Sequence, residues 1–187
     1  MSALLTALIS SGVTLIVAGV GFRVTFRNNR RLSERNDRLA RINRQLAELY
    51  GPLMTLTATA DISFRTFMRA HGQGGFTVFD SAGKPLVDKD EWMIWMRSVM
   101  MPLNRQVMEK VLHGGDLLME SDVPRVLLDF SAHVSSWESV LAKWEQGDTR
   151  QLGSVVNHPG RSLLHYAVTS YTKLKASQAE LLASKGS

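Results

Sequence analysis

Hydrophobic and polar positions divide the chain into one long apolar run and a series of helical stripes. The run from Ala3 to Phe22 holds 20 residues and no charge. At about 1.5 Å per residue, a helix of that length spans roughly 30 Å, the thickness of the hydrocarbon core of a bilayer. The pattern therefore predicts a transmembrane helix over residues 1–22.

A heptad stripe follows the apolar run. Its members are Leu32, Leu39, Ile42, Leu46, Leu49, Leu53 and Leu56. This spacing is typical of a coiled-coil seam and predicts a partner along one face, either another copy or a later helix of the same chain. Pro52 lacks a backbone donor and disfavours α geometry at Gly51, so we expect a break or kink there and a new helix to about Ala70.

Three further helices are predicted in the second half of the chain from apolar steps of three and four. The first begins at the N-cap Asp90, is kinked at Pro102 and ends at Gly114. Its apolar positions are Trp92, Met96, Val99, Leu103, Val107 and Val111. The next stripe consists of Val123, Leu127, Phe130, Val134, Trp137, Leu141 and Trp144.

The helix that carries this second stripe is predicted to have its N-cap at Ser121 or Asp122 and to end at Gly147. The last helix is expected from Arg161 to Ala183. Its stripe comprises Leu164, Ala167, Tyr171, Leu174, Gln178 and Leu181. Helices with one-sided stripes and mostly short connections are the ingredients of an antiparallel bundle.

The segment from His71 to Lys89 has no helical period. Residues 76–79 and 85–87 could pair as a short edge hairpin, and a loop packed against the helices fits equally well. The predicted fold is therefore all-α. A transmembrane helix (1–22) continues into a basic amphipathic or coiled-coil helix (23–50), and an antiparallel helical bundle (51–187) carries a short loop or β-hairpin insertion.

The positive charge of the chain is concentrated beside the apolar run. The formal net charge is +5, and residues 23–44 alone hold 8 Arg against Glu34 and Asp37, a net of +6. Arginines after a span stay on the cytoplasmic side and attract anionic lipid. The predicted lipid-binding collar consists of Arg23, Arg27, Arg30, Arg31, Arg35 and Arg38. We therefore expect a single-pass protein of the cytoplasmic (inner) membrane, with its N-terminus outside and its bundle in the cytoplasm.

Candidate chemistry is sparse. The chain has no cysteine, which excludes disulfides and thiolate metal sites. Phosphate-loop, dinucleotide and nucleophile-elbow spacings are missing, and apart from Phe22 and Phe26 the arginine-rich segment lacks the aromatic partners that nucleic-acid binding uses. Asp129 and His133 lie one helical turn apart, where a surface hydrogen bond explains them. We predict no catalytic residue, metal, cofactor or nucleic-acid partner. The chain is therefore not expected to be an enzyme.

The segment LAELYGPLMTL (residues 46–56) and the ending YTKLKASQAELL (171–182) resemble small bacterial single-span membrane proteins of uncharacterised function. The resemblance implies a membrane location and no particular activity.

The expected function is a single-pass, membrane-anchored helical scaffold or complex subunit that holds partners at the cytoplasmic face. Its partners would be the bilayer, anionic headgroups, and another protein or a second copy. The interaction seam is Leu32, Leu39, Ile42, Leu46 and Leu49. The alternative is a small membrane-perturbing effector that oligomerises through its span to form a pore.

Overall fold

A computed structural model describes the backbone of residues 2–73, 78–80 and 86–183, and the side chains of residues 21–73, 78–80 and 86–183. The α-helices in this part of the chain are α1 (Ser2–Arg44), α2 (Gly51–Ala70), α3 (Lys89–Trp95), α4 (Met101–His113), α5 (Arg125–Glu145) and α6 (Arg161–Ala183). A π-helical turn, Gln45–Tyr50, joins α1 to α2, and a second, Met96–Met100, joins α3 to α4. These ranges contain no strand, so the all-α prediction is confirmed.

Four helical rods form the bundle. Helix α2 packs against α4 and α6, and α5 packs against the same two helices. Neighbouring rods are antiparallel, because early residues of one contact late residues of the next. Arg105 of α4 binds Glu138 of α5 at 2.7 Å, whereas Arg97, before α4, lies over the ring of Trp144 at the end of α5. The predicted antiparallel bundle is therefore present.

Helix α1 is longer than the bundle. Its C-terminal part lies along α6, where Nε of Arg35 donates to the carbonyl oxygen of Leu181 at 2.9 Å and Gln178 binds Asn43 at 2.6 Å. Residues 21–34 lie beyond this contact, and every one of them is exposed. We call residues 21–34 the stalk. The chain is helical without interruption from the start of α1 to the end of α2.

Both prolines that are expected to break or kink helices follow π-helical turns. The backbone N–H of Gly51 donates to the carbonyl of Leu46, and that of Met101 donates to Met96, each across five residues. Pro52 and Pro102 lie one residue later, near the start of α2 and α4. Each widened turn accommodates a proline, which has no backbone N–H, so the chain stays helical through it. Helix α2 ends at Ala70, as predicted.

Other predicted helix boundaries are close to the observed ones. Helix α6 has the predicted bounds. The N-cap before α3 is wrong by two residues: the Asp88 carboxylate accepts from the N–H groups of Asp90 and Glu91 at 2.9 and 3.0 Å. Helix α5 begins later than predicted, at Arg125, because proline at 124 has an extended backbone.

The predicted hairpin falls largely outside the described residues, which omit 74–77 and 81–85. In the described part, the N–H of Leu86 donates to the carbonyl of Val78 at 2.8 Å, so the two sides of this segment do meet. Val87 is buried in the core beside them.

Among the described residues, no helix combines the length and the apolarity that crossing a bilayer requires. The side chains of residues 1–20, on which the transmembrane prediction rests, lie outside those described. The backbone of residues 2–22 is the first part of α1.

Candidate functional site

The predicted collar lies mainly on the stalk. Arg23, Arg27, Arg30 and Arg31 are exposed there, and only Arg30 pairs with a carboxylate, Glu34 at 2.9 Å. The remaining two collar residues lie past the stalk: Arg38 is exposed, whereas the half-buried Arg35 is held by α6. The structure therefore leaves most of the collar as a cationic surface around a single helix.

Two aromatic rings mark the N-terminal end of the stalk. Phe22 and Phe26 stack with their ring centroids 6.2 Å apart. They are 73% and 59% exposed, so nothing in the described part of the chain covers them. The stalk thus carries two apolar rings at the end nearest the predicted span, with arginines between them and further along the helix.

The predicted interaction seam is occupied mainly by the chain's own later helices. Leu46 and Leu49 are buried, Leu39 and Ile42 are half-buried, and Leu32 on the stalk is 52% exposed. Helix α6 runs along this part of α1 and its π-helical turn. Of the two partners that the spacing leaves open, the structure shows a later helix of the same chain for all but Leu32.

A hydrogen-bonded cluster locks this junction. The hydroxyl groups of Tyr50 and Tyr166 lie 3.2 Å apart, and Tyr166 donates to Glu120 at 3.2 Å. The backbone N–H of Met119 donates to the Tyr50 oxygen at 3.0 Å. Burial raises the pKa of both tyrosines, so both hydroxyl groups remain protonated at neutral pH. The cluster fixes the π-helical turn that follows α1 to the bundle.

The second feature is a cavity of about 600 Å³ in the half of the bundle far from the stalk. Residues of α2, α3, α4 and α5 surround it, together with the connection from α5 to α6. Its walls are mainly aromatic and aliphatic side chains. The central ones are Phe64, Trp92, Met96, Val107, Phe130 and Trp137.

Two histidines line this cavity and contact each other, with ring centroids 4.9 Å apart. Nδ1 of His133 lies 2.6 Å from the carbonyl oxygen of Val156, so this nitrogen carries the proton and donates. The N–H of Gly160 donates to Nδ1 of His158 at 2.8 Å, so His158 carries its proton on Nε2. Both rings are therefore set as neutral tautomers.

Their surroundings keep the two histidines neutral. Burial lowers the pKa of His133. His158 lines the cavity and keeps part of its ring exposed; the partial loss of hydration around the ring and the nearby His133 lower its pKa to about 4. The predicted Asp129–His133 hydrogen bond is wrong: Asp129 pairs with Arg125 at 2.7 Å, and the buried His133 binds the carbonyl oxygen of Val156 instead.

The cavity could not be assembled from the sequence. Its lining residues come from five segments; those on helices follow ordinary core spacing, and those at 78–79 and 153–160 lie in connections without a helical period. Asn104, which is 2% exposed, follows the predicted apolar position Leu103 and begins a run of polar residues, so the spacing does not report its burial.

Fold and site together define the class of this molecule: an up-and-down four-helix bundle on a long basic helical stalk, with a cavity in its core. No protein-family model, no curated protein and no solved structure matches the chain.

Proposed function

We propose that this chain is a single-pass, membrane-anchored helical bundle that holds partner molecules at the cytoplasmic face of the inner membrane without catalysing a reaction. The observation that carries the proposal is the stalk. A lone, fully exposed helix continues directly from the apolar N-terminal run into the bundle. Such a continuous helix is a rigid connection, because every backbone group along it is bonded within the helix.

The charge of the stalk favours its position at a membrane surface. Its four arginines face one Glu, a net of +3 over residues 21–34. Each arginine near an anionic leaflet contributes roughly 1 kcal/mol of attraction. The 14 residues of the stalk span about 20 Å, so the bundle would be held a short, fixed distance from the headgroups.

The same charge decides between the possible partners of the stalk. Two stalks packed side by side along Leu32 would bring like-charged arginines together, which is unfavourable. An acidic surface, either lipid headgroups or an acidic protein segment, suits it better. Self-association through the exposed remainder of the seam is therefore the weaker form of the proposal.

Membrane extraction tests the anchor. We expect the full-length chain to stay in the membrane pellet after an alkaline carbonate wash. Ile16→Asp places a charge within the apolar run, at a cost of about 3 kcal/mol in the centre of a bilayer, and should shift the chain to the supernatant. Val24→Asp, on the exposed stalk, is the matched control and should remain in the pellet. Release of the unaltered chain would contradict the proposal.

A further inference from the structure

The cavity in the bundle has the size of a small-molecule site. Its volume of about 600 Å³ lies within the range of roughly 300–1,000 Å³ seen for pockets that enclose drug-sized ligands. The cavity is open to solvent on one side, so it is both large enough for such a ligand and accessible to it.

The walls of the cavity are rigid aromatic surfaces. The ring of Trp92 contacts Phe79 and Trp137, with centroids 6.2 and 6.3 Å away. Its indole Nε1 donates to the carbonyl oxygen of Leu152 at 2.9 Å, which fixes the ring. Preformed flat walls reduce the ordering cost of binding and favour a ligand that itself contains rings.

One buried polar side chain lacks a protein partner. The carboxamide of Asn104 makes no hydrogen bond within the described part of the chain, although the residue is only 2% exposed. In that same part, no side-chain nitrogen or oxygen that is sealed from solvent is unsatisfied. The amide of Asn104 must therefore open onto the cavity that it lines, where it offers two donors and one acceptor.

The two histidines supply a second polar point. With Nδ1 engaged in each ring, His133 presents the lone pair of its Nε2 and His158 presents an Nε2–H. One acceptor and one donor are therefore left on two contacting rings that both line the cavity. A ligand carbonyl, hydroxyl or amide group could pair with them.

The cavity carries little net charge. Both histidines are neutral, and the acidic Asp61 at its edge is paired with Arg65, one turn further along α2. Arg161 also lines the cavity, at a position exposed to solvent. Because an unpaired ionic group would lose its hydration among apolar walls, this lining favours a neutral ligand.

The opening of the cavity faces water. Asn157, Gly160 and Arg161 line the cavity and are exposed. On α2 the first lining residue is Thr57, 23 residues past the end of the stalk, which places the site about 35 Å further along the helix. A lipid that remains in the bilayer cannot reach it, so the ligand must come from the aqueous phase.

We propose that this cavity binds a neutral, ring-containing small molecule from the aqueous phase, with its hydrogen-bonding group directed at Asn104 and the His133–His158 pair. The site belongs to the bundle, and binding itself does not need the membrane anchor; only the exclusion of bilayer lipid as the ligand rests on the proposed function.

Two probes of the same shape and different charge test the proposal: 2-naphthamide, which is neutral, and 2-naphthoate, which is anionic. Each is titrated calorimetrically into the full-length chain in lipid nanodiscs, with empty nanodiscs as the blank. We expect saturable binding of 2-naphthamide at one site and at least tenfold weaker binding of 2-naphthoate.

Three variants locate the binding. Asn104→Leu keeps the side-chain volume and removes the amide, and should weaken 2-naphthamide binding about tenfold, the effect of losing roughly 1.4 kcal/mol. Asn36→Leu, on the exposed surface of α1, is the control and should bind like the unaltered chain. Ala60→Trp fills the cavity from α2 and should abolish binding.

The proposal is overturned by any of three results with a folded chain: no saturable binding of 2-naphthamide, tighter binding of 2-naphthoate, or equal binding to the Asn104→Leu variant and the unaltered chain. Should Ala60→Trp fail to fold, the comparison of Asn104→Leu with Asn36→Leu still decides.

Discussion

Single residues decide where the elements of this fold begin. Asp88 and Asp90 are both acidic residues just before or within the start of a helix, and composition favours neither as the cap. The Asp88 carboxylate accepts two backbone hydrogen bonds, which satisfies two of the donors that a helix start leaves free. Asp90 lies in the first turn, where its charge still suits the helix dipole.

His71 and His113 lie at helix ends, whereas His133 and His158 line the cavity. Nδ1 of His113 lies 3.0 Å from the carbonyl oxygen of Glu109, and His71 binds Phe67 in the same way at 2.8 Å. For His133 and His158 the sequence shows only an ordinary helical position and a loop. Their tautomers depend on the connection from α5 to α6 folding back over α5.

From the lowered pKa values of His133 and His158 we expect the chain to lose stability in acid. Burial first, and for His158 also the adjacent His133 ring, hold their pKa values below 6.5, with that of His158 at about 4. The unfolded chain therefore binds more protons than the folded one between these values, so the free energy of unfolding falls as the pH falls from about 6.5 towards 4. Above pH 6.5 the effect is absent.

Thermal melts of the full-length chain should show a lower Tm at pH 5 than at pH 7.5. His158→Asn retains an oxygen acceptor for the N–H of Gly160 and should reduce this difference. His71 acts in the opposite sense, because its backbone hydrogen bond to Phe67 and its bond to Glu91 raise its pKa. His71→Asn should accordingly enlarge the acid-induced loss, and equal pH dependence in all three chains would contradict the assignment.

At the level of elements, the two π-helical turns explain most of the difference between the predicted and the observed helices. The stripe predicted for α3 and α4 continues from Met96 to Val99 and Leu103. The buried residues are instead Met100 and Asn104, because the widened turn contains an extra residue and rotates the following helix. Apolar spacing alone does not report such an insertion, although a proline one residue after each turn accompanies it.

The first of these turns requires a residue without a side chain at position 51. A Cβ atom at this position would collide with the carbonyl oxygen of Leu46, the acceptor of the hydrogen bond that spans the turn. Gly51→Ala should therefore lower the free energy of unfolding by about 2 kcal/mol. For a chain of this size that corresponds to a Tm lower by roughly 4–8 °C in a thermal melt.

Gly115→Ala is the matched control, since a Cβ atom there meets nothing within 4 Å. Its Tm should be unchanged or slightly higher, because alanine restricts the unfolded chain more than glycine does. An equal Tm for the Gly51 and Gly115 variants would show that the π-helical turn tolerates a side chain, contrary to the collision expected at Gly51.

For the whole molecule, the sequence was sufficient for the fold class and insufficient for the cavity. Each stripe reported which face of a helix is buried, and short connections favoured antiparallel neighbours. A cavity depends on how far apart those buried faces stand, which depends on large residues such as Trp92 and Trp137 meeting at the same level. That information is distributed over five segments and is visible only after they are packed.

The same limit applies to the seam at the base of the stalk. Heptad spacing identified the buried face from Leu39 onward, but a face does not identify its partner. Antiparallel packing of α6 on α1 supplied one from the same chain. The stalk is left uncovered, and its exposure supports the proposal that it lies at a membrane surface.

The anchored orientation is the central claim, and cysteine labelling tests it most directly because the chain has no cysteine of its own. Ser2→Cys and Ser33→Cys place one thiol on either side of the predicted span. In sealed spheroplasts, a membrane-impermeant maleimide should label the first variant at once and the second only after lysis. Labelling of the Ser33 variant in intact spheroplasts, or protection of the Ser2 variant, would contradict this orientation.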